Sequence, residues 1–220
     1  MSDSRQRRDD EKEQRREAIV DAAEAVFASH GFDASKMDDV ARKARVSRAL
    51  VYLYFGSKAE LQFAVCLRAL RLLRDELAAA AETTARGDAK IAAIGAAYMR
   101  YAERHPLYFA TLSRFEAHRP ETIAAGSSER AVLEAGAAVH DVTIAALRIG
   151  MRDGSIRRTS KPMLLAMTLW SFTHGAIQVA QTKSAFLEEV GLSSGDLLQH
   201  AIEMAMRGLR PAAVKRQRPG

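Results

Sequence analysis

Residues 35–58 read SKMDDVARKARVSRALVYLYFGSK, and this stretch decides the fold. Its apolar residues recur at helical rather than alternating spacing, in two short runs separated by Ala44-Arg45-Val46. The first run predicts a helix over about 36–44, with Ser35 as N-cap and Asp38 in the reciprocal position of a capping box. The second predicts a helix over about 48–54, opened by Ser47, whose hydroxyl can accept from an otherwise unpaired N–H. Val40 and Ala41 fall on the inner face of the first helix, Val51 and Phe55 on the inner face of the second, and Val46 plugs the turn. The preceding helix, about 14–30, places Ile19, Ala23, Val26 and Phe27 on one face and ends at His30-Gly31. Three helices arranged this way make a helix-turn-helix, in which the first of the short pair braces and the second enters the major groove of DNA.

Charge follows the same stretch. The chain of 220 residues carries a net +6, yet residues 1–60 balance 12 basic against 12 acidic side chains. Within 36–58, Lys36, Arg42, Lys43, Arg45, Arg48 and Lys58 are set against Asp38 and Asp39 alone, a local +4. Most of the excess lies in a tail holding Arg207, Arg210, Lys215, Arg216 and Arg218, read as a solvated end. On the second short helix, Arg48 can donate two hydrogen bonds to a guanine edge and Leu50 can touch a thymine methyl. Ala49 is small enough to let the backbone approach, and Tyr52 and Tyr54 offer hydroxyls to phosphates. Lys36 and Lys58, each beside a helix N-terminus, are placed for further phosphates.

The rest of the chain reads as helices of about 58–82, 88–104, 106–117, 127–152, 162–183 and 194–209, punctuated by Gly87, Pro106, Gly126, Asp153-Gly154, Pro162, Gly191 and Gly195. No strand pattern or repeat appears, so the fold class is all-α. With 48% hydrophobic residues the chain can build a core. One cysteine, Cys66, excludes an internal disulfide and reads as an inert small hydrophobe. The charged first sixteen residues show no signal peptide, which points to the cytoplasm. Residues 162–182 contain no Asp, Glu, Lys or Arg. Thr168, Ser171, Thr173, His174, Gln178 and Gln181 make the segment too polar for lipid, so it is expected to be buried on several sides by protein, with no membrane partner. The six histidines lack metal spacing, and no Glu-x-x-His, H-E-x-x-H or G-x-G-x-x-G occurs. Gly191-Leu192-Ser193-Ser194-Gly195 fits G-x-S-x-G, but that motif requires a preceding strand, so Ser193 or Ser194 reads as an N-cap. No catalytic residue, metal or cofactor is expected.

Residues 15–62 resemble the DNA-binding domain of the tetracycline-repressor (TetR) family of bacterial transcription regulators. The resemblance rests on Ile19 to Phe27 with Ala22-Ala23, on Gly31-Phe32, Ser35, Val40-Ala41, Ala44, Val46-Ser47, Val51-Tyr52, Phe55, Lys58 and Leu61. Arg45 stands where that family usually has glycine, and Tyr54 where it often has histidine. Leu50 stands at a position near the start of the reading helix that is usually threonine-like, so base preference does not carry over.

The resemblance implies a helix-turn-helix domain over 14–60 and a larger helical domain over 61–210 that dimerises and binds an effector, with flexible tails at 1–13 and 211–220. The DNA-binding set becomes Lys36, Arg45, Ser47, Arg48, Ala49, Leu50, Tyr52, Tyr54 and Lys58. The partner is double-stranded DNA with a palindromic operator, read by two helices about 34 Å apart. The homodimer is expected through helices 162–183 and 194–209, using Leu165, Leu169, Phe172, Ile177, Leu197, Leu198, Ile202 and Met206. A small hydrophobic effector would be walled by Tyr98, Tyr101, Phe109, Phe115, Met151, Met167, Trp170 and His174, with Met99 and Tyr108 as further candidates. The long helix 58–82 would link that pocket to the reading helix, effector binding lowering operator affinity. Two other classes compete: an architectural DNA binder without sequence preference, and an all-α enzyme.

Overall fold

A computed structural model describes residues 2–118 and 123–211. The described residues form ten α-helices and no strand. They are α1 (Ser2–His30), α2 (Met37–Ala44), α3 (Arg48–Tyr54), α4 (Lys58–Glu82), α5 (Gly87–Arg104), α6 (Pro106–Glu116), α7 (Ser128–Asp153), α8 (Pro162–Thr182), α9 (Ser184–Glu189) and α10 (Ser194–Leu209). Two compact units emerge. One comprises the described residues of Met1–Leu70 and His105–Ala135, the other those of Arg71–Arg104 and Gly136–Gly220. The expected division at 60/61 therefore falls inside α4, and α6 packs with the N-terminal helices. Of the expected tail at 211–220, residues 212–220 lie outside the described residues.

α1 begins at Ser2 rather than near residue 14, so the expected tail at 1–13 is helical over its described residues. Its first turns carry no apolar face, but Arg, Glu, Lys and Gln are good helix formers, and Gln6 donates to Asp10 one turn on. High charge there signals solvent exposure, not loss of helix. Ile19, Ala23, Val26 and Phe27 are buried together with Val40, Ala41, Val51 and Phe55. Gly31, at φ 74°, ends α1.

The cap of α2 lies one residue later than expected. Lys36 is the N-cap, and its N–H donates to Asp39 rather than to Asp38. Ser35 is buried and its hydroxyl donates to the Gly31 carbonyl at 2.5 Å. The turn closes on Arg45, whose φ of 57° and ψ of 40° are left-handed without glycine. The Val46 N–H reaches back to the Ala41 carbonyl at 3.0 Å, the bond that closes a Schellman motif. Ser47 caps α3 as expected, accepting from the Leu50 N–H at 3.2 Å.

Two cations of α4 fasten this unit. The Lys58 ammonium donates to the carbonyls of Phe32 (2.8 Å), Asp33 (3.2 Å) and Ser35 (2.9 Å) and lies over the Phe32 ring. Its three donors are thus spent inside the fold, which corrects the expectation of a phosphate contact. Arg68 pairs with Glu17 (2.5 Å), Asp21 (2.6 Å) and Glu24 (3.0 Å) on α1. Tyr108 of α6 donates to Glu24. Cys66 is fully buried, and burial pushes its thiol up to about 12, as an inert packing residue requires.

In the second unit, α8 packs against α5 and α10. Gly87 does not terminate α4 but opens α5, where a Cβ would lie 2.0 Å from the Gly150 backbone nitrogen. Lys90 is buried and donates to the Ala81 carbonyl at the end of α4. The short α9 is absent from the sequence reading. It follows Lys183 without an apolar period long enough to register. After it comes Ser193, which caps α10 by accepting from the Asp196 N–H at 3.0 Å. A helix, not a strand, precedes Ser193, so the G-x-S-x-G match is a cap. α8 is long and apolar enough to cross a membrane by length and composition, at mean hydropathy 1.2. Contrary to the expectation of burial on several sides, only 22% of that window is buried within the chain.

Two substitutions test these local arguments. Lys58→Met keeps the stem and removes three donors, and is expected to lower unfolding stability by about 2 kcal/mol in denaturant titration. Arg45→Gly relieves the left-handed strain at some cost in chain entropy, and is expected to raise it by about 0.5–1 kcal/mol. A neutral Lys58→Met or a destabilising Arg45→Gly contradicts the respective reading.

Candidate nucleic-acid interface

The solvent face of α3 follows from its helical phase. Val51 and Phe55 point into the core at 0% and 3% exposure. The opposite face presents Arg48, Ala49, Tyr52 and Leu53, all exposed. Leu53, at 79%, is the most exposed large apolar side chain on this helix and was missed in the sequence reading. Four residues beyond Ala49, it is findable once the Val51–Phe55 face is assigned inward. Leu50 and Tyr54 are half-buried, Tyr54 packing against the core. Leu53 is thus far more open to solvent than Leu50.

Arg48 is already engaged. Its Nε lies 3.0 Å from Asp38 Oδ1, its Nη1 donates to Asp38 Oδ2 at 3.3 Å, and its guanidinium lies over the Tyr52 ring. Both side chains of the pair are largely exposed, and such a pair contributes at most about 1 kcal/mol. A base edge can exchange for the carboxylate at little cost. The ten-residue separation of Asp38 and Arg48 has no periodic signature, so this contact is invisible in the sequence.

Around α3 the basic groups divide into used and available. Arg42 pairs with Asp39, and Lys58 is committed to backbone carbonyls. Lys36, Lys43 and Arg45 are exposed and make no ion pair among the described residues. The Ser47 hydroxyl oxygen accepts the capping bond, which leaves its O–H to donate. The structure thus brings Arg45, Arg48, Ala49 and Tyr52 to the surface of one short motif, with Lys36 at its edge. It turns Leu50 and Tyr54 partly inward and takes Lys58 out of the set.

The second unit contains an apolar cavity of about 60 Å³. Of the eight expected effector residues, Tyr98 and Trp170 line it. His174 stands behind them, buried, sharing a 2.7 Å hydrogen bond with the Tyr98 hydroxyl; burial depresses its pKa. Tyr101 is fully buried without lining the cavity. Met151 is half-buried elsewhere, and Met167 is exposed on α8. Phe109 and Phe115 belong to the other unit, Phe115 packing edge-on against Phe63. Buried aromatics on adjacent helices look alike in sequence whichever core they join.

On α8, Leu164, Met167, Phe172 and Val179 are exposed along one face, as is Met204 on α10. Of the residues expected at a dimer interface, Phe172 is on this face. Ile177 is buried, and Leu169, Ile202 and Met206 line the cavity. Leu165, Leu197 and Leu198 are half-buried.

Comparison with known proteins places these observations. A family model described as bacterial regulatory proteins of the tetR family matches residues 19–65, and one described as a tetracyclin repressor-like C-terminal domain matches residues 91–205. The HTH-type transcriptional regulator BetI of Rhizobium meliloti is 41% identical over 80 residues, covering 36% of this chain and 39% of that protein. The match thus spans well under half of that relative. A protein of unknown function from Rhodococcus sp. RHA1 superposes with a TM-score of 0.71 at 24% identity, over 89% of this chain and 95% of its own. The transcriptional regulator FadR of Bacillus subtilis, solved with stearoyl-CoA, superposes at 0.66 and 15% identity, over 88% of this chain and 98% of its own. The chain belongs to the TetR family of bacterial helix-turn-helix transcriptional regulators, whose members are not enzymes.

Proposed function

We propose that the chain acts as a cytoplasmic homodimer that represses transcription by holding a palindromic operator, and that a small hydrophobic molecule in the second unit releases it. The observation that carries the DNA contact is the face of α3, where Arg48, Ala49, Tyr52 and Leu53 are exposed while Val51 and Phe55 anchor the helix. Arg48 exchanges Asp38 for a guanine edge, and Lys36, Lys43 and Arg45 meet phosphates. Ser47 acts as the cap that holds the reading helix.

The exposed apolar face of α8, continued by Met204 of α10, supports self-association. Gly175 has open space where a Cβ would be, which permits close approach of a second helix. A two-fold pair of such chains presents two α3 helices to successive major grooves about 34 Å apart. The cavity supports the effector reading. A guest that favours one placement of the paired reading heads lowers operator affinity by as much as its preference for that state. α4 would carry this coupling, since it contributes residues to both units.

The operator is sought as an inverted repeat in the DNA flanking the coding region, and binding is read by fluorescence anisotropy at several salt concentrations. Wild type is expected to prefer that duplex over a scrambled one by at least about a thousandfold. Arg48→Ala with Tyr52→Ala is expected to weaken operator binding by at least about tenfold, with a much smaller effect on the scrambled duplex. Equal affinity for both duplexes favours an architectural DNA binder. Unchanged operator binding by the double variant rejects α3 as the reader.

A further inference from the structure

The cavity of the second unit has a polar feature that the functional reading does not use. Sixteen residues line it, none of them Asp, Glu, Lys or Arg. Within this apolar wall, α7 contributes His140 and Thr143, three residues apart on one face, and α8 contributes Trp170 and Thr173 at the same spacing. The two pairs confront each other, with the His140 ring edge-on to Trp170 at 5.7 Å and 86°. His140, Thr143 and Thr173 are half-buried, and their side chains make no hydrogen bond among the described residues. Helical threonines can bond the carbonyl four residues back, as Thr168 and Thr182 of the same helix do. Thr173 does not, so its hydroxyl is left for the cavity. Tyr98 and His174, by contrast, are joined to each other.

We propose that this cavity is a binding site for a small uncharged molecule, an aromatic or aliphatic body bearing one amide, carbonyl or hydroxyl group, with His140, Thr143 and Thr173 binding that group and Trp170 the body. The proposal deepens the effector reading above and rests on it only for its regulatory consequence. A charged head buried here would lose its hydration with no counter-charge in the wall, which is strongly unfavourable. A purely apolar guest would leave three hydrogen-bonding side chains dry and unpaired, which is unfavourable for each. Burial lowers the pKa of His140 and so favours its neutral ring, which can donate or accept without presenting a charge. The volume of about 60 Å³ is smaller than one aromatic ring, so a one-ring guest enters only as the adaptable Met206 gives way.

Trp170 is the only tryptophan in the chain, so its emission reports this cavity directly. The full chain is titrated with four probes of similar size: benzamide, benzoate, benzylammonium and ethylbenzene. Decanoate serves as a fifth, anionic amphiphile. Benzamide is expected to change Trp170 emission saturably. Benzoate, benzylammonium and decanoate are expected to bind at least about tenfold more weakly. Thr143→Val with Thr173→Val preserves shape, and is expected to weaken benzamide about fivefold while leaving ethylbenzene unchanged. Thermal unfolding of the variant confirms that it is folded, and His140→Phe is the alternative variant if it is not. Tightest binding by an anion, no saturable binding by benzamide, or no loss in a folded variant overturns the proposal. Anisotropy on operator DNA, run alongside, keeps the two readings apart. Benzamide that binds without releasing DNA leaves the site standing and removes its regulatory role. Release by decanoate alone keeps the regulator and removes this ligand class.

Discussion

A single ammonium group sets the frame of the reading motif. The carbonyls of Phe32, Asp33 and Ser35 converge in the connection between α1 and α2, where no helix ladder can pair them all. Lys58 supplies three donors from a half-buried position and satisfies them together. The direction of α2 follows from that corner, and α3 hangs from α2 through the left-handed turn at Arg45. Ten residues further along α4, Arg68 repeats the device against Glu17, Asp21 and Glu24. Two cations on α4 thus hold α1 at its middle and at its end. The parts that face solvent need contribute nothing to holding the fold.

That division explains how so short a helix can carry so exposed a face. α3 has seven residues, well below the length at which an isolated helix persists in water. Val51 and Phe55 bury its inner side, Ser47 satisfies an orphan N–H at its start, and Phe55 bonds back to Val51 at its end. With those contacts made, Arg48, Ala49, Tyr52 and Leu53 stay exposed, with Arg48 held only by a surface pair to Asp38 and by the Tyr52 ring. Arg45 illustrates the opposite bargain: a side chain with φ of 57° is kept where glycine would be more comfortable. A cation is thereby retained at the surface of the motif.

The sequence made legible what short-range chemistry determines. The limits of α3 and α4, the Ser47 cap, the Ser193 cap and the apolar pair of Val51 and Phe55 all follow from spacings of three or four residues. Contacts across longer separations did not show. The Asp38–Arg48 pair, the commitment of Lys58 to carbonyls 23 to 26 residues back, and the membership of α6 in the N-terminal unit depend on chain placement, not on period. The cap of α2 failed by one residue because Ser35 and Lys36 are both compatible with the start of the helix. Burial of the Ser35 hydroxyl against Gly31 decides between them. Which aromatics line the cavity was illegible for a similar reason, since Phe109, Phe115 and Tyr101 are as aromatic as Trp170 but fill other space.

α8 carries two apolar surfaces with different requirements. Its inner side packs Ala166, His174, Ile177 and Ala180 and gives Trp170 and Thr173 to the cavity. Its outer side leaves Leu164, Met167, Phe172 and Val179 in water. A surface of that kind is rarely left uncovered in a soluble protein. A second copy laid along it would make the position of α8 depend on the interface, while a guest beside Trp170 would make the same helix depend on the cavity. Two ligands that act on one rigid element are coupled through it without a chain of intermediaries, to the extent that each prefers one of its placements. The absence of Asp, Glu, Lys and Arg along 162–182 matches a helix that gives one side to the cavity and leaves apolar side chains exposed on the other.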